Sequence, residues 1–238
     1  VEMVTRVLSP YQFNPTNYHP MRGVVTEMLD FDHVCSDCWP RLFICATNVR
    51  SGKIKVFSDD EITPDAILAS ACLPTLYQAI EIVDPATGRL EAYWDGGYAG
   101  NPALFPLFYR TGADDVIIVH INPLRREETP RTATEILNRI NEISFNSSLL
   151  RELRAIEFVH RLIEAGKIQP GTMKDVRIHS VQDDALMRQL GVATKLTPNR
   201  GLLLQLKEAG RVAMDAFLVA HWNDLGERSS VDLRAVFS

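Results

Sequence analysis

The chain of 238 residues is 46% hydrophobic and 23% charged, a composition typical of a globular protein with a substantial core. Its net charge of −5 argues against a nucleic-acid partner, and no apolar run reaches the roughly 18 residues of a membrane span. Four cysteines are too few for a disulfide scaffold in a chain of this length, which indicates a reducing, cytoplasmic setting.

The beginning of the sequence predicts a loop, a short helix and a cysteine pair. Residues 9–20 are rich in Pro, Asn and aromatic residues without periodicity, so they are expected to form a loop. Residues 22–30 have the apolar spacing of a short helix. Cys35 and Cys38, with His33 before them, make only one C-x-x-C, whereas a zinc site needs four ligands. Buried thiols are the more common use, and no metal or other cofactor is predicted.

Residues 41–94 predict several strands around one small helix. The run 41–49 is almost continuously apolar, as in strands that are buried on both faces. Thr63 and Pro64 have the residue types of a helix N-cap and a first helical position, so a helix is expected over 65–72. The strands expected here are 41–49, 53–57, 79–83 and 90–94, the second and fourth as hairpin partners.

A carboxylate follows the last of these strands directly. Asp95 stands at the strand end, and Gly96 and Gly97 come next. Glycine permits positive φ and lets another chain approach closely, so a second reacting group would have room beside the carboxylate. Asp-Gly pairs are also common in ordinary surface turns. The turn alone therefore does not distinguish a catalytic Asp95 from a structural one.

The second half of the sequence predicts one more apolar strand and a largely helical region over about 132–225. The strand 115–122 has His120 at its polar end. Gly166 is expected to cap the first long helix, and a break is expected in that helix near 146–148. The other elements expected are a helix over 132–165, a strand over 176–181, an amphipathic helix over 201–222 whose apolar stripe packs into the core, and a strand near the end of the tail.

Strands that alternate with helices predict an α/β fold, with a mostly parallel central sheet between two helical layers. Because two strands are apolar throughout, 41–49, 90–94 and 115–122 are expected in one sheet. In folds of this class chemistry gathers beyond the strand ends, where Asp95 and His120 both lie.

Three segments, in order, resemble the patatin-like phospholipase family. Residues 46–49 (ATNV), with Ser51-Gly52 after them, resemble the family's A-T-D/N strand end and its following turn. Residues 69–74 (ASACLP) are similar to its A-S-x-A-x-P helix end. Residues 95–97 (DGG), followed by Asn101-Pro102, are similar to its D-G-G/A turn and N-P. The specific resemblance covers about residues 41–122, and the flanks resemble a bacterial branch of the family.

This resemblance implies a three-layer α/β/α patatin-like fold and a Ser/Asp dyad that hydrolyses acyl esters of lipids. Carried over by position, Asp95 is the general base, and Gly96 and Gly97 form the turn that supports it. A serine hydroxyl is a poor nucleophile until a base takes its proton, and an oxyanion hole must stabilise the intermediate. The implied partners are a lipid or acyl-ester substrate and no nucleic acid. Peripheral membrane contact and a homo-oligomer are compatible with the same resemblance.

One part of the family pattern is missing from the sequence. The family's nucleophile lies in G-x-S-x-G and its oxyanion loop is Gly-rich, and neither pattern occurs in these 238 residues. Ser70 belongs to the helix-end signature and not to a nucleophile elbow. Residues 1–238 are therefore expected to be the C-terminal part of a single patatin-like domain. The nucleophile is unknown and expected upstream, on an N-terminal segment or a second chain, so the chain alone is expected to be inactive and poorly soluble.

Two other functions remain open from the sequence. The chain can be a non-catalytic interaction module, on a hydrolase fold that kept its core and lost its chemistry. It can also be a Ser/His/Asp hydrolase that uses His120 or His179. Both histidines follow or lie in an apolar strand, where a hydrogen-bonded structural histidine is more common than a catalytic one.

Overall fold

The chain divides into two compact units, 1–103 and 104–238, and each is described by itself. The structure is a computed structural model that describes residues 8–31, 40–169, 171–190, 194 and 199–237. Helices and strands are numbered in chain order within those residues. The predicted C-x-x-C of Cys35 and Cys38, with His33, lies outside them.

The first unit contains one four-stranded sheet and short helices. Residues 9–20, predicted as a loop, include a helical turn, because Ser9 and Gln12 form a capping box and Pro10 takes the first helical position. The elements are α1 (Pro10–Phe13), α2 (Met21–Met28), β1 (Phe43–Asn48), β2 (Ile54–Ser58), α3 (Pro64–Ser70), β3 (Ile80–Val83) and β4 (Leu90–Asp95).

The four strands have the order β2-β1-β4-β3, and every pair is antiparallel. The prediction of a mostly parallel sheet is therefore wrong for these strands. Short hairpin connections are the reason for the pairs β1–β2 and β3–β4, since parallel neighbours need a long crossover. Asn48 Oδ1 accepts hydrogen bonds from the backbone N–H and the hydroxyl of Ser51, and Gly52 and Gly88 lie at positive φ in the two hairpin turns.

Helix α3 packs against this sheet through small side chains. Its N-cap is Thr63, as predicted, and Thr63 Oγ1 accepts from the Ala66 N–H at 3.2 Å. Ala66 and Ala69 are fully buried and belong to one apolar core with Phe57 and Tyr93. Their small size lets the helix end lie close to β4, where Asp95 is found.

The second unit contains a parallel strand pair and longer helices. Val116 and Ile118 on the first of these strands are buried with Ile178 on the second, against Leu149 and Leu153 of the long helix. The elements are α4 (Phe105–Arg110), β5 (Asp115–His120), α5 (Ala133–Glu164), β6 (Arg177–Gln182), α6 (Asp184–Met187), α7 (Arg200–His221) and α8 (Leu233–Val236).

Strand β5 pairs with β6 in a second sheet, so the prediction that it shares a sheet with β1 and β4 is wrong. The chain between β5 and β6 includes the long helix α5, and such a crossover is what a parallel pair requires. The continuous apolar run of β5 did not specify its neighbour. Among its residues Val116 and Ile118 are buried, whereas Ile117 and Val119 are exposed.

Three further predictions about the second unit are wrong, and the predicted cap at Gly166 is confirmed. Helix α5 runs through Asn146 without a break, and it is capped by Thr132 and followed by Gly166 at a φ of 63°. The tail forms α8 instead of a strand, because the Asp232 side chain accepts from two backbone N–H groups and caps a helical turn. Of the residues of α7, Phe217 is the one that is buried, so the predicted core stripe of this helix is largely unburied.

The mixed α/β class is confirmed. In the part of the chain that the structure describes, no helix combines the length and the apolar character needed to cross a membrane.

Candidate functional site

Asp95 is the last residue of β4, and its backbone is fixed from two sides. Its N–H donates to the Cys72 carbonyl just beyond α3, at 2.9 Å. Its carbonyl oxygen accepts from Thr47 Oγ1 at 2.8 Å, and Ala46 of β1 lies opposite it in the sheet. The ends of β1, α3 and β4 therefore meet at this residue.

The Asp95 side chain is held by the turn that follows it. Residues Gly96–Tyr98 form a single 3₁₀ turn, and Asp95 is its N-cap. Asp95 Oδ1 accepts from the Gly97 N–H at 2.7 Å. This hydrogen bond fixes the orientation of a carboxylate that is partly buried.

Gly96 is required for space and not for an unusual backbone conformation. It is buried, and its φ lies outside the left-handed region. A Cβ at this position would lie 2.8 Å from the Cys45 carbonyl carbon, and closer still to the carbonyl oxygen. The glycine thus lets the turn after Asp95 contact the backbone of β1 directly.

Two other titratable groups share the surroundings of Asp95. Burial raises the pKa of the Cys72 thiol to about 11, and the negative charge of Asp95 adds to the effect. Burial, and then Asp95, also raise the pKa of Tyr98. Cys72 Sγ donates to the Gln78 carbonyl at 3.2 Å. Because a thiolate and not a thiol is the nucleophile, Cys72 does not replace the missing serine.

Ser70 is engaged within its own helix. Its hydroxyl donates to the Ile67 carbonyl at 2.7 Å in the last turn of α3. Asn48, the last residue of the A-T-N segment, binds the Ser51 turn and donates through Nδ2 to Glu91 at 3.0 Å. These two motif residues support the elements around Asp95.

His120 is held by a buried asparagine. Its Nε2 lies 3.3 Å from Asn146 Oδ1, and Asn146 Nδ2 donates to the carbonyl oxygens of Asn122 and Pro123. Asn146 is only 3% exposed. The His120 ring, the Asn146 amide and the two carbonyls satisfy one another's hydrogen bonds at the end of β5. This is the arrangement expected of a structural histidine.

His179 lies between a serine and an aspartate. Its Nδ1 is 3.1 Å from Ser230 Oγ, and its Nε2 is 3.0 Å from Asp115 Oδ1. The side chain of His179 is fully buried. The connectivity is that of a Ser-His-Asp triad, in which the aspartate fixes the tautomer and the other ring nitrogen accepts from the serine.

The remaining contacts give this network a structural role. Asp115 also accepts from the Arg177 guanidinium at 2.9–3.2 Å and from the Gly226 N–H at 2.9 Å. The backbone N–H groups of Ser230 and Val231 both donate to a single carbonyl of β6, so neither is placed as an oxyanion donor. The network fastens the loop 226–231 to the strand pair.

Sequence reasoning named His179 but missed both of its partners. Asp115 is 64 residues from His179 and Ser230 is 51 residues from it. Neither serine nor aspartate stands in a recognisable motif. The only signal is an Asp at the start of one strand and a His in the other, two residues beyond the position that pairs with the Asp, and it is a weak one.

Among the described residues no group of three or more His, Cys, Asp or Glu side chains could hold a metal ion. Comparison with models of known protein families gave no match, and a search of curated proteins gave none either.

Proposed function

We propose that this chain is the C-terminal part of a patatin-like lipid acyl hydrolase in which Asp95 is the general base of a Ser/Asp dyad. The observation that supports the proposal most is the convergence of the three family-like segments on Asp95. Ala46 lies opposite it, Cys72 accepts its N–H, and Gly97 orients its carboxylate.

In this reaction Asp95 has to hold its carboxylate in the right position and to accept and release a proton. The carboxylate of Asp95 takes the hydroxyl proton as serine oxygen attacks the ester carbonyl, and a tetrahedral oxyanion forms. The protonated Asp95 then gives the proton to the departing alcohol, which leaves an acyl-serine. In the second half of the reaction Asp95 accepts a proton from the water that attacks the acyl-serine, and it returns this proton to the serine oxygen as the carboxylic acid leaves. The Gly97 N–H keeps the carboxylate in one orientation through both halves.

The nucleophile and the oxyanion donors belong, in this proposal, to an N-terminal segment or a second chain that carries G-x-S-x-G. With that part supplied, the proposed fold is patatin-like, although the described strands of this chain form an antiparallel sheet in one unit and a parallel pair in the other. The substrate is a lipid or other acyl ester, and the enzyme is cytoplasmic with peripheral contact to membranes. A homo-oligomer is compatible with this arrangement.

The test is an Asp95→Asn substitution in the complete protein. Asparagine keeps the shape of the side chain and the acceptor for the Gly97 N–H but is not a base. We expect the turnover of a short-chain p-nitrophenyl ester to fall by roughly 10²–10⁴-fold. Asp60→Asn, which changes an exposed carboxylate in the turn after β2, is the matched control and should leave turnover unchanged.

Near-normal turnover by Asp95→Asn would contradict the role of Asp95. A fluorophosphonate that labels activated serines tests the dyad separately. Labelling at Ser230 would indicate that the network of His179 and Asp115 is catalytic instead. A complete protein that takes up no fluorophosphonate and hydrolyses no ester would favour the non-catalytic interaction module.

A further inference from the structure

A cavity of about 630 Å³ lies within the second unit, at the C-terminal ends of β5 and β6. Its walls come from these strand ends, from α5 and α6 and from one face of α7. The volume is within the range of roughly 300–1,000 Å³ that is usual for small-molecule sites. The end of a parallel strand pair is also where ligands commonly bind in α/β proteins.

One wall of the cavity is the apolar stripe of α7. Leu202, Leu206, Ala209 and Ala213 recur at helical spacing and all line the cavity. The residues nearest the middle of the helix are small, and Gly210 beside them has no side chain. The stripe therefore borders open space where the sequence predicted core packing. An elongated apolar group would cover it.

The polar groups of the cavity wall come mainly from the ends of β5 and β6 and not from α7. His120 and Asn122 stand at the end of β5, and Gln182 and Asp183 stand at the end of β6. Asn146 donates through Nδ2 to two carbonyls, so its Oδ1 accepts from His120 Nε2. In the neutral imidazole, Nδ1 is then an acceptor, which suits a hydroxyl donor.

The charges in the wall disfavour an ionised ligand. Among the described lining residues the ionic side chains are the carboxylates of Asp183 and Glu142, and there is no Lys or Arg. Glu142 is already paired with Arg126 and Arg139, and Asp183 accepts from the Leu186 N–H as a helix cap. An anionic head group would be buried without a cation, which is costly. A cationic group would find Glu142 already paired with two arginines and only the carboxylate of Asp183 to balance its charge.

We propose that this cavity binds an uncharged amphiphile, with its alkyl chain along α7 and its hydroxyl or ester oxygen at the ends of β5 and β6. The described residues that line the cavity all belong to 104–238. It does not depend on the role proposed for Asp95, and binding is measured without turnover.

The first test compares three ligands with the same chain length on the intact protein. Decan-1-ol, decanoate and decylammonium are titrated at pH 7 and followed by calorimetry or ligand-observed NMR. We expect saturable binding of the alcohol, on the order of tenfold tighter than either ion. Equal or tighter binding of decanoate, or no saturable binding of decan-1-ol, would overturn the proposal.

The second test fills the cavity. Gly210→Leu should weaken the binding of decan-1-ol at least about tenfold. A Cβ at Gly210 meets no atom within 4 Å, so the substitution requires no backbone shift, and it removes a glycine from a helix interior. Ala213→Leu is a second filling variant on the same stripe. Ala216→Leu adds the same side chain on an exposed part of α7 outside the cavity and should bind like the wild type.

If both filling variants bind decan-1-ol as the wild type does, with unchanged melting temperatures, the alcohol binds elsewhere and the assignment of this cavity is wrong. If Ala216→Leu weakens binding as much as Gly210→Leu, the effect is not specific to the cavity, and the assignment is again wrong.

Discussion

Gly96 is a residue of the candidate site that leaves no room for a side chain. Alanine there would place a Cβ against the Cys45 backbone, which belongs to β1 and cannot rotate away. We expect Gly96→Ala to lower the free energy of unfolding by about 1–3 kcal/mol, as overpacking does. Gly112→Ala is the control, since a Cβ at Gly112 meets nothing within 4 Å and its φ is not left-handed.

Urea denaturation of the two variants measures this difference. Gly112→Ala should stay within about 0.5 kcal/mol of the wild type. An equally small effect of Gly96→Ala would show that the turn after Asp95 can move away from β1, and the tight support proposed for the carboxylate would be wrong.

At the residue scale the sequence predicted where the turn after β4 lies, but not why its first glycine is needed. Asp95-Gly96-Gly97 was recognisable because the residues are adjacent and follow an apolar strand. The reason for Gly96 is contact with Cys45, a residue far away in the sequence, so it became visible only with the sheet in place. The partners of His179 were hidden for the same reason.

At the scale of elements, Asn146 shows how a polar residue can lie inside a helix without ending it. The sequence predicted a break there, because Asn and Ser compete with helical hydrogen bonds. The buried Asn146 side chain instead donates to the carbonyls of Asn122 and Pro123 and accepts from His120. The helix continues because the Asn146 side chain makes its hydrogen bonds to residues at and after the end of β5, and does not compete for those of the helix backbone.

We therefore expect Asn146→Ala to cost about 2–3 kcal/mol, because it leaves two carbonyls and a ring N–H without a partner. Helical content by circular dichroism should not fall below that of the wild type. Ser147→Ala, the adjacent position, removes a hydroxyl that bonds within α5 to the Ser144 carbonyl and should change stability by less than about 0.5 kcal/mol. Similar stabilities of the two variants would contradict the role given to Asn146.

The strands and the two hairpin pairings, β1 with β2 and β3 with β4, were predictable from the sequence, but the assignment of strands to sheets was not. β1 and β5 look alike in sequence, yet β1 has antiparallel neighbours and β5 has a parallel one. The decisive information lies in the connections. The glycine turns at Gly52 and Gly88 specify hairpins, whereas the crossover through α5 specifies a parallel pair.

At the scale of the whole molecule, one carboxylate, that of Asp115, connects parts of the second unit that are distant in sequence. Asp115 stands at the start of β5, and it joins Arg177 and His179 of β6 and Gly226 of the loop before α8. These residues are spread over more than 110 positions of the chain. A single carboxylate therefore holds the N-terminal end of the strand pair to the chain's last segment, and its protonation state should affect the stability of the unit.

The sign of that dependence follows from the pKa of Asp115, which is held well below its usual range. The hydrogen bonds from Arg177 are the largest cause, burial opposes them, and the Gly226 N–H and His179 add to the lowering. Because the folded-state pKa is depressed, the stabilisation is complete above the unfolded pKa of about 3.9 and is lost as the pH falls towards the folded value. Asp115→Asn lacks this titration, so its deficit should be largest at neutral pH.

We expect Asp115→Asn to cost about 2–4 kcal/mol at pH 5 and the gap to the wild type to narrow by about 1 kcal/mol at pH 3. Hydrogen exchange of the amides of Arg177–Gln182, compared between wild type and variant at the same pH, measures this gap locally. Asp114→Asn is the matched control, since Asp114 is about half exposed and lies 3.7–3.9 Å from its cationic partners. Its effect should be small at both pH values. A gap for Asp115→Asn that stays constant or widens in acid would show that the carboxylate of Asp115 does not carry the depressed pKa and that other contacts hold the loop 226–231 to β6.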